Sequence, residues 1–429
     1  MMKRITPSLI AIALANLFAA SAFAGERDLF SEPTLDRAPM SKSASGFLDK
    51  IKARKTSAEV RVVKMALPVL ADTREPVNFN VLPGKDLAIA FDSADTRSGK
   101  DYTWRGTVVG DQGGTATLVV NNGKVTGMIR TGTEIYAIEP LGDGNHAVIR
   151  VDPGKFPPDH PPESVKPPKG GKSSEAKAPT LSLAGPAITV SPVAINPAII
   201  GTLLLKTTIN VLVAYTPKAK AAHADMDGLI TLAVDEANQS YNNSKIPIAL
   251  KLVHKYKTTY TESGNFDTDL TKFRTPADGK MDEVHAKRTT YKADVAVLII
   301  DNGSYCGLAS GIMANTNTAF AAVHYDCATG YYSFAHEIGH LQGARHDPAA
   351  DASSGPVCVN YNHGYLKTAK SWRTIMAYNN AACAGGNCTR IQYWSNPSVK
   401  YLGDATGVAG ANNNALCLKN TRATVAAFK

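Results

Sequence analysis

The sequence predicts an α+β protein: a mixed twisted sheet with helices, a histidine-bearing helix, and a mostly irregular lower part closed by a C-terminal helix, all preceded by a small β-rich domain. Three observations predict it. From about Lys206, apolar runs and amphipathic stretches alternate as strand, helix, strand, helix, strand. Residues 336–347 then read His-Glu-Ile-Gly-His-Leu-Gln-Gly-Ala-Arg-His-Asp. Upstream, between Val77 and Val151, alternating apolar runs are joined by tight-turn residues.

Taken in chain order, residues 1–24 have the three parts of an export signal: Met-Met-Lys-Arg, an apolar run from Leu9 to Phe23, and a small-residue end at Ala22-Phe23-Ala24. The run is too short for a membrane anchor and no other segment reaches spanning length, so a secreted, extracellular product without a membrane partner is expected. Residues 25–152 form the β-rich domain. Lys50 to Lys64 reads as helical. Thr115–Val120 and Lys124–Arg130 flank Asn121-Asn122-Gly123 as one hairpin, and Glu134–Pro140 with His146–Val151 form another. Residues 153–205 are a linker and activation region; Pro, Lys, Gly and Ser dominate through residue 181, a composition that builds no core.

Residues 206–429 form one catalytic domain, long enough to bury its own core. Strands are expected at Ile209–Ala214, Ile248–Leu252 and Val295–Ile300, with helices at Leu229–Asn242 and Met281–Tyr291. Ala319–His324 reads as an edge strand able to take a peptide as an added strand. A helix begins near Tyr332, and Ala409–Phe428 reads as the closing helix.

Chemistry concentrates in residues 336–347. On a helix, His336 and His340 project from one face and reach one metal ion. Glu337 lies beside that ion but outside its ligand set, placed to take a proton from the attacking water. Gly343 supplies the positive φ that ends the helix and returns the chain, so that His346 becomes the third ligand. Three protein ligands leave a position for water, which marks a catalytic Zn2+ ion and a hydrolase. The bare five-residue pattern arises by chance in roughly one chain per hundred of this length, and the extended one in about one per hundred thousand.

The six cysteines all lie at or beyond Cys306, and an even count after an export signal reads as three disulfides. Cys383–Cys388 closes a short loop, Cys306–Cys327 ties the strand region to the approach to the helix, and Cys358–Cys417 pairs the remaining two. Fifteen connectivities are open to six cysteines. The net charge of +9 is scattered, without an aromatic-interleaved basic patch, so nucleic acid is not expected as a partner. An exported hydrolase behind a β domain and linker reads as a zymogen whose propeptide is its own intramolecular inhibitor. A cysteine on the zinc is excluded as the latch, because no cysteine precedes Cys306. Asp159 or His160 could take that place, against the plainer reading of polar residues in a Pro-rich linker.

The extended motif resembles the metzincin metallopeptidases, and Thr374-Ile375-Met376-Ala377-Tyr378 lies where that family has its methionine turn. Asp347 after the third histidine resembles the reprolysin group, where it supports the fold. Tyr378 resembles instead the tyrosine that astacins and serralysins place near the zinc, able to donate to the oxyanion. The stretches Cys327–His340, Arg373–Tyr378, Tyr393-Trp-Ser-Asn-Pro and Thr406–Ala415 are similar to bacterial peptidyl-Asp metalloendopeptidases over roughly residues 206–429. That resemblance implies a monomeric secreted endopeptidase acting on polypeptides before acidic residues, and a cationic pocket after the methionine turn. Arg390 is the first candidate for it, through bidentate binding of a carboxylate, with Arg373 and Lys400 behind it. A structural Ca2+ near Asn420 is a further expectation drawn from some reprolysins. The rival readings are a broad-specificity endopeptidase with the same mechanism, a cell-wall amidase and an inactive binding protein. The intact ligand and base set speaks against the last two.

Overall fold

The computed structural model describes residues 27–33, 40–159, 205–355 and 357–429. The expected leader, His160 and residues 161–204 of the linker lie outside them.

The N-terminal half is one antiparallel sheet of nine strands: β1 (Phe30–Ser31), β2 (Ser57–Met65), β3 (Val77–Leu82), β4 (Lys85–Ser98), β5 (Asp101–Val108), β6 (Thr115–Asn121), β7 (Lys124–Arg130), β8 (Ile135–Gly142) and β9 (Asn145–Val151). Their order is β1-β2-β9-β8-β7-β6-β5-β4-β3. An Asp28–Asn78 bridge brings the two ends of the sheet together, curling it around Phe30, Phe79, Trp104 and Tyr136. Both expected hairpins are present. Asn122 and Gly123 have φ of 46° and 75°, and Asp143 and Gly144 have 53° and 71°, the two-residue turns whose twist suits hairpins. The helix expected at Lys50–Lys64 is corrected. Helix α1 runs Lys42–Ala53, capped by the Ser41 side chain on the Ala44 amide, and the chain then enters β2. The β-branched run Val60-Arg61-Val62-Val63 favours the strand over the helix.

The C-terminal half holds a five-stranded sheet, β11-β10-β12-β14-β13. Its strands are β10 (Thr207–Tyr215), β11 (Ile248–Lys257), β12 (Val295–Ile300), β13 (Gly307–Ala309) and β14 (Phe320–His324). Helices α2 (Pro217–Ala222), α3 (Met226–Asn243), α4 (Phe266–Arg274) and α5 (Glu283–Thr290) connect them. Along β12, Val295, Val297 and Ile299 face one core, while Ala296, Leu298 and Ile300 face another. Both faces are covered, hence the unbroken apolar run. The edge is β13, antiparallel to β14, so Ala319–His324 is an interior strand and not the expected edge. Gly-Leu-Ala is too short to show a period in sequence.

Helix α6 (Ser333–Leu341) follows β14, and α7 (Asn414–Val425) closes the chain, capped by Asn413 on the Leu416 amide. Between them, β15 (Leu366–Lys367), β16 (Trp372–Arg373) and β17 (Thr389–Arg390) form a small sheet in which Arg373 is directly paired with Arg390. The disulfides are Cys306–Cys327, Cys358–Cys417 and Cys383–Cys388. No helix among the described residues is long and apolar enough to cross a membrane.

The two halves pack together. Leu232 of α3 enters an apolar cluster with Val119, Met128 and Ile149 of the nine-stranded sheet. Beside it, Arg54 pairs with Glu139 and with Asp326 at 3.3 Å, and the Thr56 hydroxyl donates to Asp326 at 2.6 Å.

Candidate active site

Helix α6 is set in place before its first residue. The Gly330 amide donates to the buried Glu236 carboxylate of α3 at 2.9 Å, and Arg130 of β7 donates to the Gly330 carbonyl. Arg130 also lies 4.7 Å from the centre of the Tyr332 ring. The helix ends at Gly343, whose φ is +101°. The Gly343 amide donates to the His340 carbonyl and the Ala344 amide to the Gly339 carbonyl, each at 2.9 Å, the paired bonds of a Schellman stop.

This reversal brings His346 onto His336 and His340. The three Nε2 atoms lie 2.9 to 3.1 Å from one another and all three side chains are buried. The second nitrogens orient two of the rings. His336 Nδ1 faces the Ile375 carbonyl at 2.8 Å and His340 Nδ1 faces the Ala344 carbonyl at 2.9 Å. A carbonyl only accepts, so each Nδ1 carries the proton and each Nε2 presents a lone pair. Lone pairs converging at this distance repel unless a cation sits among them, and separations near 3 Å match neighbouring corners of a tetrahedral zinc site. Among the described residues this is the one group of such side chains arranged to hold a metal ion.

Glu337 is buried beneath β13, where a Cβ on Gly307 would collide with its carboxylate. Burial first, then the nearby Asp159 carboxylate, pushes Glu337 well above the ordinary carboxyl range, against Arg390 and the Ala309 backbone. Below the histidines, Met376 is fully buried, its sulfur 3.1 Å from where a Cβ on Gly339 would stand. The Asp347 carboxylate accepts the Tyr378 amide at 2.8 Å, and the Tyr378 ring packs 4.2 Å from that of His346. Asp347 therefore ties the end of the histidine motif to residues 376–378.

The family model for metallo-peptidase family M12 matches residues 205–395. The peptidyl-Asp metalloendopeptidase of Xanthomonas campestris pv. campestris is 40% identical over 99% of this chain and 98% of its own length. The chain belongs to metallo-peptidase family M12. It is 46% identical to the peptidyl-Asp metalloendopeptidase of Stenotrophomonas maltophilia over 74% of this chain and 72% of that protein. The namesake enzyme of Pseudomonas fragi is 44% identical over 45% of this chain and all of its own length. This M12 chain is thus a metalloendopeptidase.

Around the three histidines, the M12 chain brings together residues that its sequence did not link. Trp394 stacks on Tyr241 and donates to the Ser240 hydroxyl at 2.9 Å, filling the space under Gly339. Two guanidiniums lie close to Tyr331, Arg390 at 4.4 Å and Arg373 at 5.2 Å from its ring centre. The Asp159 carboxylate pairs with Arg390 at 2.6 Å and Arg373 at 3.4 Å. Asp159 is therefore directed at the arginine pair and is not grouped with the three histidines. Its segment is anchored at Phe156, which stacks on Tyr331 at 4.3 Å. Lys400 is exposed on a separate two-residue strand, away from this pair. The Asn420 side chain donates to the Tyr361 hydroxyl at 3.1 Å, and no acidic metal-holding group accompanies it among the described residues.

Proposed function

We propose that this metalloendopeptidase is exported as a zymogen, uses Zn2+ held by His336, His340 and His346, and cleaves polypeptides on the N-terminal side of Asp. The observation that carries the reading is the convergence of three Nε2 atoms, those of His336 and His340 oriented by backbone carbonyls, from the helix that also bears Glu337. A bound zinc ion supplies Lewis acidity that polarises the scissile carbonyl and acidifies water. Glu337 takes the proton of the attacking water and returns it to the leaving amine. The edge β13 aligns the substrate backbone, and its Gly307 keeps that backbone close to Glu337. The Tyr378 phenol, on the ring that packs against His346, donates to the oxyanion.

Preference for Asp is supported by the names of the relatives and by the buried Arg390, whose guanidinium already faces a carboxylate. Residues 1–24 act as the export signal, 25–152 as the propeptide, 153–205 as linker and activation region, and 206–429 as the catalytic domain. The buried histidines and Glu337 fit a precursor whose cleft is covered.

The test is a digest of an unstructured protein by the secreted enzyme, with and without a zinc chelator, every cut mapped by mass spectrometry. Chelator-sensitive cuts clustered before Asp are expected. Chelator-sensitive cuts without that clustering leave a broad-specificity endopeptidase, and chelator-resistant cuts remove the zinc mechanism.

A further inference from the structure

We propose that Arg373 and Arg390, both close to the Tyr331 ring, form a single carboxylate-binding pocket that sets specificity, and that Asp159 occupies it in the precursor as a built-in stand-in for the substrate's acidic residue. The inference rests on the Asp preference proposed above and names the residues behind it.

The pocket is built from below. Direct pairing of Trp372-Arg373 with Thr389-Arg390 places the two arginines side by side. Arg373 is held by the Cys388 carbonyl at 3.2 Å, by the Ala377 carbonyl and by the Tyr331 hydroxyl at 2.7 Å. Arg390 donates to the Tyr331 carbonyl at 2.8 Å. Both guanidiniums are almost wholly buried, and these protein partners are neutral oxygens. Two buried cations without an anion are unfavourable, so the pocket demands one from outside the catalytic half. Burial and the neighbouring Arg373 pull Arg390 below the usual arginine range, with Asp159 opposing them. Among the described residues, Asp159 is the only carboxylate in ion-pair contact with either arginine.

What delivers that carboxylate looks like a ligand rather than a strut. The segment Phe156-Pro157-Pro158-Asp159 belongs to the N-terminal half yet lies along the edge of the catalytic sheet. The Cys306 amide donates to the Pro158 carbonyl at 2.8 Å and the Gly307 amide to the Asp159 carbonyl at 3.3 Å. Gly307 is also the residue against Glu337, so Asp159 stands beside the reacting centre, where the acidic residue of a substrate belongs. Two consecutive prolines hold the segment extended and lower the entropy lost on docking. Because one arginine meets each carboxylate oxygen, a neutral amide in that place would lose both ion pairs and oppose a donor to a donor.

The test uses the full-length chain carrying Glu337→Gln, which prevents self-processing, and a fluorescent peptide with a single Asp. Adding Asp159→Asn is expected to raise the affinity for that peptide at least tenfold, while the Asn form of the peptide gains nothing. Asp159→Glu, which keeps a carboxylate, is expected to stay near the parent. No gain, or an equal gain for both peptides or with both substitutions, overturns the proposal. Independently of any variant, the peptide Phe-Pro-Pro-Asp is expected to inhibit the active wild-type preparation competitively and its Asn counterpart at least tenfold more weakly. Equal inhibition by the two overturns it. If the digest shows cuts before Asp while these results fail, the stand-in role of Asp159 falls alone. If the digest shows no such preference, the underlying specificity falls with it.

Discussion

Gly339 occupies a position of the histidine motif at which its pattern accepts any residue, yet the packing leaves room for a hydrogen only. An added Cβ would lie 2.6 Å from two ring carbons of Trp394 and 3.1 Å from the Met376 sulfur. Trp394 cannot yield, being stacked on Tyr241 and bonded to Ser240. Gly339→Ala is expected to destabilise the catalytic half by about 1–3 kcal/mol, despite the better helix propensity of alanine. Chemical denaturation would measure it, and an unchanged midpoint would show that the tryptophan moves. The convergence of His336, His340 and His346 was legible because their spacing is local to one helix and its stop. Gly339 was not, because its constraint comes from Trp394, far along the chain. Glu236 was hidden for the same reason. Burial pushes its carboxyl up to about 8, against Arg130 and the Gly330 amide, with Asp235 adding to the rise. An acid raised above its unfolded value of 4.5 binds more protons when folded, so stability falls as pH rises from 4.5 to 8. Glu236→Gln keeps an acceptor for Gly330. It is expected to melt like the wild type near pH 4.5 and to be more stable at pH 8.5, by up to a few kcal/mol on the order of the shift.

At the scale of elements, the strand–helix alternation was readable because β10 and β12 are buried on both faces and show as unbroken apolar runs. The edge of the five-stranded sheet was misread because β13 has three residues and no alternation to detect. Pairing between β16 and β17 was equally invisible, since two-residue strands carry no period, and it is this pairing that sets Arg373 beside Arg390. The Cys383–Cys388 loop connects directly to it through the Cys388 carbonyl on Arg373. A bridge closing so short a loop contributes less to stability than the roughly 3 kcal/mol of a fifteen-residue loop. Replacing both cysteines with serine is therefore expected to leave the fold intact and to loosen Arg373. KM for Asp peptides should rise several-fold with kcat changed less, whereas equal loss in both would point to general misfolding. Steady-state kinetics on matched Asp and Asn peptides separate the two.

Over the whole molecule, the two halves meet through a shared charge cluster built on the Arg54–Glu139 pair. Arg54 and Glu139 come from one and Asp326 and His223 from the other, with His223 Nε2 3.4 Å from the Glu139 carboxylate. Nothing in the sequence linked residues so far apart. Burial holds His223 below its ordinary value despite Glu139, so acid opposes the docked arrangement. The N-terminal half carries a second such histidine. His146 Nε2 accepts the Val125 amide at 3.0 Å, which requires the neutral ring, and burial followed by Lys64 pushes it down to about 4. A histidine lowered from 6.5 to about 4 contributes stability that is complete above 6.5 and is lost as pH falls toward 4. At pH 5 the loss amounts to roughly 2 kcal/mol from this residue alone. Melts of the full-length Glu337→Gln chain at pH 7 and pH 5 should show the nine-stranded half weakening first. His146→Gln, which still accepts from Val125 but does not titrate, should remove most of the difference. A melting temperature as sensitive to acid in that variant as in its parent would place the response in the interdomain charges around His223 instead.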